Sequence, residues 1–365
     1  MAPKISVVMA TYNHAPFVAQ SIQSVLNQSF ADFEFLISDD GSSDSTSDVV
    51  GRFSDPRLHF DPNPVNRGAC TVTNELIQRA RGEYVAVINS DDYWAPDKLE
   101  IQLDFLERHP DHAAHFTGTI FIDKTGAEIA AGATDLGDIF HQPNRPRGQW
   151  LRRFFDVGNC LCHPSILIRR CCYAELGLYD NRYRQLPDFD MWIRLLKRFP
   201  IHVADRRLVF FRLMPGENVS SHTETNLVRA ANEQYLIACG FFEGLERSVL
   251  VEGFADLMVF KDPPSPEHCE IEKALLYFAP NRRLGRIYAA IGLRQLFDLL
   301  RSPSHRRILI DDYGIDDLEF QRRTATANAF RQLTDPGTIE RAALIRELKR
   351  RAFGRLRRQL RRPHP

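Results

Sequence analysis

The stretch at 83–94 places the strongest constraint on the fold. It reads Glu-Tyr-Val-Ala-Val-Ile-Asn-Ser-Asp-Asp-Tyr-Trp, so an apolar run at 84–88 is followed closely by two adjacent carboxylates, Asp91 and Asp92. A short apolar run bounded by turn residues predicts a strand that is buried on both faces. Paired carboxylates at the end of such a strand are costly unless they are compensated, usually by a hard cation. They are explained equally well as caps of the following helix, so this stretch alone leaves both interpretations open.

Strands and helices alternate along the first 108 residues. Strands are predicted at 4–13, 33–38, 58–60 and 84–88, and helices from Pro16 and over 45–53, 70–81 and 96–108. This order predicts a parallel sheet with helices on both faces and right-handed crossovers. The strand ends then meet at one edge of the sheet, where open α/β sheets bind their ligands. Asp40, Asp91 and Asp92 would therefore converge on one cleft, which helix capping alone does not require.

The rest of the chain divides into two parts. Strands are predicted at 113–123, 161–169 and 201–212, with a short helix at 149–155. The segment 124–148 is rich in Gly, Pro, Asn and Arg, which is typical of a lid or binding loop. No strand pattern follows residue 222, and helices are predicted at 223–240, 245–260, 267–278, 283–300, 316–333 and 338–360. We therefore predict an α/β domain over 1–222 and a helical region over 223–365.

A further carboxylate candidate lies in the segment 186–197. Pro187 fits the first turn of a helix, and Asp188 falls in that turn, where the helix dipole favours a carboxylate. Asp190 is about 200° around the helix axis, so only one of the two can face the cleft. Asp188 is the better candidate because it lies beside the preceding loop. Simple capping of the helix by Asp188 is the alternative.

The composition is that of a soluble globular protein, with 44% hydrophobic and 26% charged residues. The formal net charge of zero gives no indication of a nucleic-acid partner. No apolar run reaches about 18 residues, and the first strand begins too early for a signal peptide, so we expect a cytoplasmic location. The seven cysteines show no framework spacing. Cys160, Cys162 and His163 raise the alternative of zinc, but reduced core thiols are the expectation.

The final 25 residues contain ten Arg or Lys and a single Glu. Apolar side chains line one face of the helix predicted there, at Ile345, Leu348, Ala352, Leu356 and Leu360. A basic amphipathic helix favours an anionic membrane surface, at about 1 kcal/mol per basic residue. This interpretation implies a peripheral location at the inner face of the cell membrane. A solvated terminal helix packed on its neighbours is the alternative.

The motifs together resemble those of family 2 glycosyltransferases. The similar segments, in chain order, are Ile5-Ser-Val-Val-Met-Ala-Thr-Tyr-Asn13, Gln28-Ser-Phe30, Ile37-Ser-Asp-Asp-Gly-Ser-Ser-Asp44, Asn66-Arg-Gly68, Gly82-Glu-Tyr84, Asn89-Ser-Asp-Asp92, and Asp188 before Trp192. Each motif alone is weak, but the ordered set is specific and covers roughly residues 3–220. The resemblance implies the GT-A fold, a mixed sheet built around a Rossmann-like half. It also implies sugar transfer with inversion at the anomeric carbon.

The resemblance assigns the donor site, which would bind a UDP- or dTDP-sugar. Asp40 resembles the aspartate that accepts the N3–H of uracil or thymine, and an ionised carboxylate suits that edge because it only accepts hydrogen bonds. The other residues placed at the donor are Ala10, Thr11, Tyr12, Asn13, Asn66 and Asp91.

The resemblance also assigns the metal and the base. Asp92, with Asp91, would bind Mg²⁺ or Mn²⁺ that bridges the two phosphates of the donor. Asp188 resembles the general base, which takes the proton of an acceptor hydroxyl while that oxygen attacks the anomeric carbon. The implied acceptor is a glycan, including a lipid-linked one.

Two departures from the family pattern concern the metal. Many members have Asp where this chain has Asn89, and many have His near the position of Met214, whose thioether is a poor ligand for a hard cation. His222 is the candidate replacement, and a water ligand is the alternative. The cation would then arrive largely with the diphosphate, which predicts weak Mn²⁺ binding without nucleotide.

Two other functional classes remain. A nucleotidyltransferase is disfavoured because the segment 10–14, Ala-Thr-Tyr-Asn-His, is not a Gly-rich basic loop that cradles a triphosphate. A non-catalytic glycosyltransferase-like nucleotide-binding or scaffold protein would account for Asn89 and Met214. Asp188 argues against that second class.

Overall fold

The computed structural model describes residues 2–130, 133, 136–214, 223–280 and 284–327. Within these residues the chain forms eight strands and thirteen α-helices. The strands are β1 (Ile5–Thr11), β2 (Phe33–Asp39), β3 (Leu58–Pro62), β4 (Tyr84–Val87), β5 (Tyr93–Trp94), β6 (Ala114–Ile122), β7 (Leu167–Arg169) and β8 (Ile201–Arg212). The helices are α1 (Val18–Leu26), α2 (Thr46–Val50), α3 (Ala69–Arg79), α4 (Lys98–Arg108), α5 (Arg147–Val157), α6 (Cys171–Leu176), α7 (Pro187–Arg198), α8 (Glu224–Cys239), α9 (Arg247–Phe254), α10 (Pro266–Leu276), α11 (Gly285–Arg301), α12 (Pro303–Asp311) and α13 (Asp317–Thr326).

All eight strands belong to one mixed sheet, in the order β3-β2-β1-β4-β7-β6-β8-β5. The strands β3, β2, β1 and β4 are parallel, as the alternating sequence pattern predicts. The strand β7 runs antiparallel to both β4 and β6. The strands β6 and β8 are parallel, and β5 is antiparallel to β8. The prediction of a mixed sheet built around a Rossmann-like half is confirmed.

The sheet is buried on both faces because neighbouring strand residues point to opposite sides. In β1, Val7 joins a core formed mainly with α1 and α4, whereas Val8 joins the core on the other face. The helix α1 contributes Val18, Ile22 and Val25, whose spacing places them on one helical face, and all three are fully buried.

The structure differs from the prediction at three places. The residues just before the helix predicted at 96–108, Tyr93 and Trp94, form a strand that was not predicted. They pair with β8, and Tyr93 stacks on Phe210 at 4.3 Å between ring centroids. In the segment predicted as a strand at 161–169, only the last three residues are a strand. A 3₁₀ turn, His163–Ser165, precedes it and contains Pro164, which has no N–H for a sheet ladder. A further helix, α12, which begins at Pro303, lies between the helices predicted at 283–300 and 316–333.

The helices beyond residue 222 begin where the chain offers capping side chains. The Thr223 side chain accepts the N–H of Asn226 at the start of α8, and Ser265 and Asp316 act likewise for α10 and α13. Such caps satisfy N–H groups that the first helical turn leaves unpaired. The predicted basic helix at 338–360 lies outside the described residues.

The hydrophobic core continues across the boundary predicted at residue 222. Phe155 of α5 stacks on Tyr288 of α11 at 4.3 Å and also contacts Phe242 and Phe254. The helices α5 and α9 cross with almost no space at Gly148, where an added Cβ would lie 2.5 Å from the carbonyl oxygen of Val249. The helical region is thus packed onto the α/β part through a shared core, and the division at residue 222 stays a prediction.

Candidate active site

The carboxylate of Asp92 is fixed inside the turn that follows β4. Its Oδ1 accepts the main-chain N–H of Arg212 at 2.8 Å, and its Oδ2 accepts the side-chain amide of Asn89 at 2.8 Å. The Asp92 side chain is 1% exposed, whereas Asp91 is 7% exposed. From α1, the Ser21 hydroxyl donates to the carbonyl oxygen of Ser90 at 2.9 Å. Asp92 therefore holds the shape of the acidic turn.

Arg212, the last residue of β8, joins three parts of the site. Its Nε donates to the carbonyl oxygen of Asp91 at 2.8 Å, and its Nη1 donates to that of Asp123, after β6, at 2.9 Å. Its Nη2 donates to Oε1 of Gln20 in α1 at 2.7 Å. Sequence reasoning missed this residue, because its burial and its contact with the acidic turn depend on the tertiary fold. Arg212 connects the acidic turn to the start of the insertion at 124–148.

The two carboxylates of the acidic turn are electrostatically unfavourable together. Burial raises the pKa of Asp91, against the opposing effect of His14 and Arg212. Burial raises the pKa of Asp92 further, and the neighbouring charge of Asp91 adds to it. A divalent cation would relieve this repulsion, and carboxylate oxygens are the ligands that Mg²⁺ and Mn²⁺ prefer. The acidic turn therefore fits such an ion.

The further protein ligands expected for a metal are not supplied by the described part of the chain. Within it, no group of three or more His, Cys, Asp or Glu side chains is arranged to hold a metal ion. His222 lies outside the described residues. All seven cysteines are free thiols, and Cys160 and Cys162 are buried.

The loop after β1 is fastened to the loop after β2. The main-chain N–H of Asn13 donates to the Ser42 hydroxyl at 2.8 Å, and Oδ1 of Asn13 accepts the N–H of Ser43 at 2.8 Å. Asn13 takes a left-handed conformation with φ of 52°, which Asn tolerates better than most residues. Tyr12 next to it is 43% exposed. Ala10 and Thr11 lie directly before this loop, and Thr11 is buried, so among these residues the exposed ring of Tyr12 offers most of the surface to a donor.

Asp40 fastens a second loop to the same edge of the sheet. Its Oδ1 accepts the main-chain N–H of Arg67 at 2.7 Å, and its Oδ2 accepts that of Gly68 at 2.8 Å. Asn66, predicted at the donor, is exposed in this turn. Gly41 permits the close approach, because an added Cβ would lie 2.7 Å from the carbonyl carbon of Val65. Asp40 is buried and braces this turn, and its recognition of a base stays a prediction.

Asp188 lies apart from Asp190, as their spacing predicts. It occupies the first turn of α7, and its Oδ2 accepts the Asn159 side-chain amide at 2.7 Å. Desolvation in this half-buried position raises the pKa of Asp188 to about 6, against the effect of the Asn159 hydrogen bond. Asp190 accepts instead from Nε of Arg194 at 2.8 Å.

Two residues that support Asp188 were missed by the sequence reasoning. Asn159 follows α5, and the only signal for a helix end there was Gly158. Glu233 of α8 is 5% exposed. Its carboxylate accepts the main-chain N–H groups of three consecutive residues before α7, at 2.8–2.9 Å, namely Arg184, Gln185 and Leu186. The residues that brace the loop before Asp188 thus come from both predicted regions.

The acidic turn and Asp188 belong to the same neighbourhood. Burial raises the pKa of the Cys162 thiol, and the charges of Asp92 and Asp188 both raise it further. Both carboxylates therefore lie within electrostatic reach of one buried side chain. Trp192, expected to pack behind the site, is fully buried and contacts Phe116 edge-on.

Comparison with known proteins identifies the family. The model described as glycosyl transferase family 2 matches residues 6–173. The glycosyltransferase TuaG of Bacillus subtilis, named for teichuronic acid biosynthesis, is 30% identical over 238 residues, covering 64% of this chain and 87% of TuaG. The chain belongs to glycosyltransferase family 2. The prediction of a family 2 enzyme that transfers sugars is confirmed.

Other relatives of this family 2 glycosyltransferase agree with that assignment. The Escherichia coli protein WfaP, a UDP-Glc:alpha-D-GlcNAc-diphosphoundecaprenol beta-1,3-glucosyltransferase, is 26% identical over 230 residues, covering 62% of this chain and 84% of WfaP. The structure of S. aureus TarS 1–349 with UDP-GlcNAc matches with a TM-score of 0.55 at 18% identity, over 91% of this chain and 95% of that one. The longer TarS structure is covered over 55% of its length. These structures support the GT-A fold.

Among the helices of the described residues, none combines the length and the apolar character needed to cross a bilayer.

Proposed function

We propose that this family 2 glycosyltransferase transfers a sugar with inversion from a UDP- or dTDP-sugar to a hydroxyl of a glycan or lipid-linked acceptor. The observation that carries the proposal is Asp188, a half-buried carboxylate whose pKa is raised to about 6. A carboxylate with a pKa near neutrality is a better proton acceptor than an ordinary one and is still ionised at pH 7.

The relatives support the choice of substrates and pathway. WfaP is named for a UDP-sugar donor and a diphosphoundecaprenol-linked acceptor, and TuaG for the synthesis of a polysaccharide. TarS 1–349 binds UDP-GlcNAc. We extend to this chain a UDP-sugar donor and a role in polysaccharide biosynthesis.

In the proposed reaction, the acceptor hydroxyl attacks the anomeric carbon from the face opposite the diphosphate. Asp188 takes the hydroxyl proton as the new C–O bond forms. The bond to the phosphate oxygen breaks, and its electron pair leaves with the nucleoside diphosphate. The loop that carries Tyr12 and Asn13, together with Asp40 and Asn66, holds the base and ribose of the donor.

We place the divalent cation on the adjacent carboxylates of Asp92 and Asp91, whose mutual repulsion it would relieve. Bound there, Mg²⁺ or Mn²⁺ would neutralise charge on the departing diphosphate. The hydrogen bonds from Arg212 and Asn89 would hold the Asp92 carboxylate in position. His222 stays a candidate ligand.

Replacement of the base tests the reaction. Asp188→Asn keeps the size of the side chain but cannot accept the proton, so transfer should fall by about 10³-fold. Calorimetry should show UDP binding unchanged. Asp190→Asn is the matched control, because Asp190 lies on the same helix and pairs with Arg194, and transfer should persist in it. Wild-type turnover in Asp188→Asn would remove this residue from the mechanism.

Replacement of the two turn carboxylates tests the metal assignment. Calorimetry with UDP, with and without Mn²⁺, should show that Asp92→Asn and Asp91→Asn each lose most of the Mn²⁺-dependent gain in affinity. Asp190→Asn, outside the acidic turn, is the control and should keep that gain. An undiminished gain in either turn variant would remove that carboxylate from the metal site. Tight Mn²⁺ binding by the wild-type protein without nucleotide would contradict the delivery of the ion with the diphosphate.

The acceptor and the basic segment at 338–360 suggest a membrane surface as the place of reaction. Liposomes with anionic lipid should retain the full chain at low salt, and a chain that ends at residue 337 should stay in solution. Equal behaviour of the two chains would exclude the segment as an anchor. A panel of nucleotide sugars, assayed for metal-dependent hydrolysis, would identify the donor.

A further inference from the structure

Asn159 contacts Asp188 with an amide whose orientation is determined. The helix α5 ends at Val157, and Gly158 turns the chain with φ of 92°. Asn159 follows, and its Oδ1 accepts the main-chain N–H of Leu161 at 3.2 Å. Because an N–H can only donate, this contact fixes the oxygen of the amide. The Nδ2 group then points to Oδ2 of Asp188, at 2.7 Å.

The Asp188 carboxylate is held at both oxygens. Its Oδ1 accepts the main-chain N–H of the next residue, Phe189, at 2.8 Å. The second contact, from Asn159, is made across a separation of 29 residues. Two donors on opposite oxygens prevent rotation of the carboxylate about its Cβ–Cγ bond. Of the two, only the Asn159 donor can be removed by substitution.

Three titratable groups of the described residues interact electrostatically with Asp188, and none of them carries a positive charge. They come from three separate elements: Glu233 of α8, Tyr179 before α7, and Cys162 at the 3₁₀ turn. All three are acids, and Glu233 raises the pKa of Asp188. A hydrogen bond to an ionised acceptor is worth more than one between neutral groups, so Asn159 favours the ionised carboxylate.

We propose that Asn159 is a positioning residue for the base, orienting the Asp188 carboxylate and keeping it ionised for proton transfer. This inference rests on the proposed function of Asp188. It assigns to the loop after α5 a role in the reaction. Neither the family motifs in the sequence nor the metal site requires that role.

A titration of Asp188 tests the proposal without any substrate. Protein labelled with carboxyl-¹³C aspartate would be titrated by NMR, and the Asp188 signal identified by its loss in Asp188→Asn. In Asn159→Ala the midpoint should rise by about one pH unit, because the ionised form loses a charge-assisted hydrogen bond. In Asn159→Asp the rise should be larger, because two carboxylates would face each other. Asn144→Ala is the control, since Asn144 lies before α5 and accepts a main-chain N–H, that of Val203.

Kinetics give the second measurement. Asn159→Ala should lower kcat about 10-fold or more at pH 7, leave the donor KM near the wild-type value, and move the acid limb of the kcat profile upward with the NMR midpoint. An unchanged midpoint in both Asn159 variants would overturn the proposal even if Asp188→Asn were inactive. Full activity of Asp188→Asn would defeat the base assignment alone, and the NMR midpoint would still report whether Asn159 controls the carboxylate. If Asn159→Ala fails to fold, the isosteric Asn159→Asp decides.

Discussion

At the scale of single residues, the sequence indicates which side chains matter better than what they contact. Asp188 and Asp190 were separated correctly from their spacing alone, because helical geometry is local. The hydrogen bonds of Asp92 to Asn89 and Arg212 were not predictable, since Arg212 lies 120 residues away from Asp92. Asp40 likewise accepts two N–H groups from a turn 27 and 28 residues later. Burial and partners of this kind depend on the tertiary fold.

The raised pKa of Asp188 predicts how activity depends on pH. The base works only when it is ionised, and its pKa is about 6 in the folded protein. The kcat should therefore be constant above about pH 7 and fall tenfold for each unit below about pH 6. A pH profile of turnover with saturating donor checks this. Full activity at pH 5 would mean that the base has an ordinary carboxyl pKa.

At the scale of helices and strands, the first four strands and their helices were predictable because alternation is a local signal. The strand β5 was not, because its two residues are held by pairing with β8, more than 100 residues later. The 3₁₀ turn at His163–Ser165 also depends on distant groups: Nε1 of Trp94 donates to the carbonyl oxygen of Pro164 at 3.0 Å. Tertiary contacts of this kind override local propensity.

The crossing of α5 and α9 gives a prediction at this scale. Gly253→Ala would place a methyl group against the backbone of Gly148, so the two helices must separate. The free energy of unfolding should fall by about 2 kcal/mol in a urea titration. Gly285→Ala, also in a helix, is the control, because an added Cβ there meets no atom within 4 Å among the described residues. Equal free energies of unfolding for the two variants would show that α9 can move away from α5 with no loss of stability.

The contact between α8 and the loop before α7 gives a second prediction at the scale of helices and strands. Glu233→Gln removes the charge that accepts three N–H groups, so the loop that carries Asp188 should loosen. We expect about 2 kcal/mol lower stability and a lower kcat with UDP affinity unchanged. Glu224→Gln, at the exposed start of the same helix, should change neither quantity. A Glu233 variant with normal kcat would show that the loop keeps its shape unaided.

At the scale of the whole molecule, the Rossmann-like half was predictable from the sequence. The hydrophobic core that the α/β part shares with the helical region was not. Phe155 and Tyr288 stack across 133 positions of the chain, and no local pattern reports such a contact. The two ends of β8 have different surroundings. Arg212, its last residue, lies at the candidate active site. His202, near its start, lies beside His115 of β6, with 5.0 Å between their ring centroids.

This histidine pair predicts acid sensitivity of the fold. Burial, with nearby positive charges, lowers the pKa of His115 to about 3, and burial lowers that of His202 to about 4. Both are neutral when folded but gain a proton near pH 6.5 when unfolded, so stability should fall as the pH drops below about 6.5. At pH 5, His115 alone accounts for up to about 2 kcal/mol. Urea titrations from pH 7 to 5 should show a shallower loss in His115→Gln, whereas the exposed His59→Gln should behave as wild type.

The hydrogen bonds from the loop before α7 to Glu233 constrain where a chimeric protein can be joined. Two relatives of this family could be recombined at residue 222, the predicted boundary between the two regions. Such a hybrid would take the loop from one parent and Glu233 from the other. The safer junction lies beyond α8, so that the carboxylate and the three N–H groups it receives are inherited together.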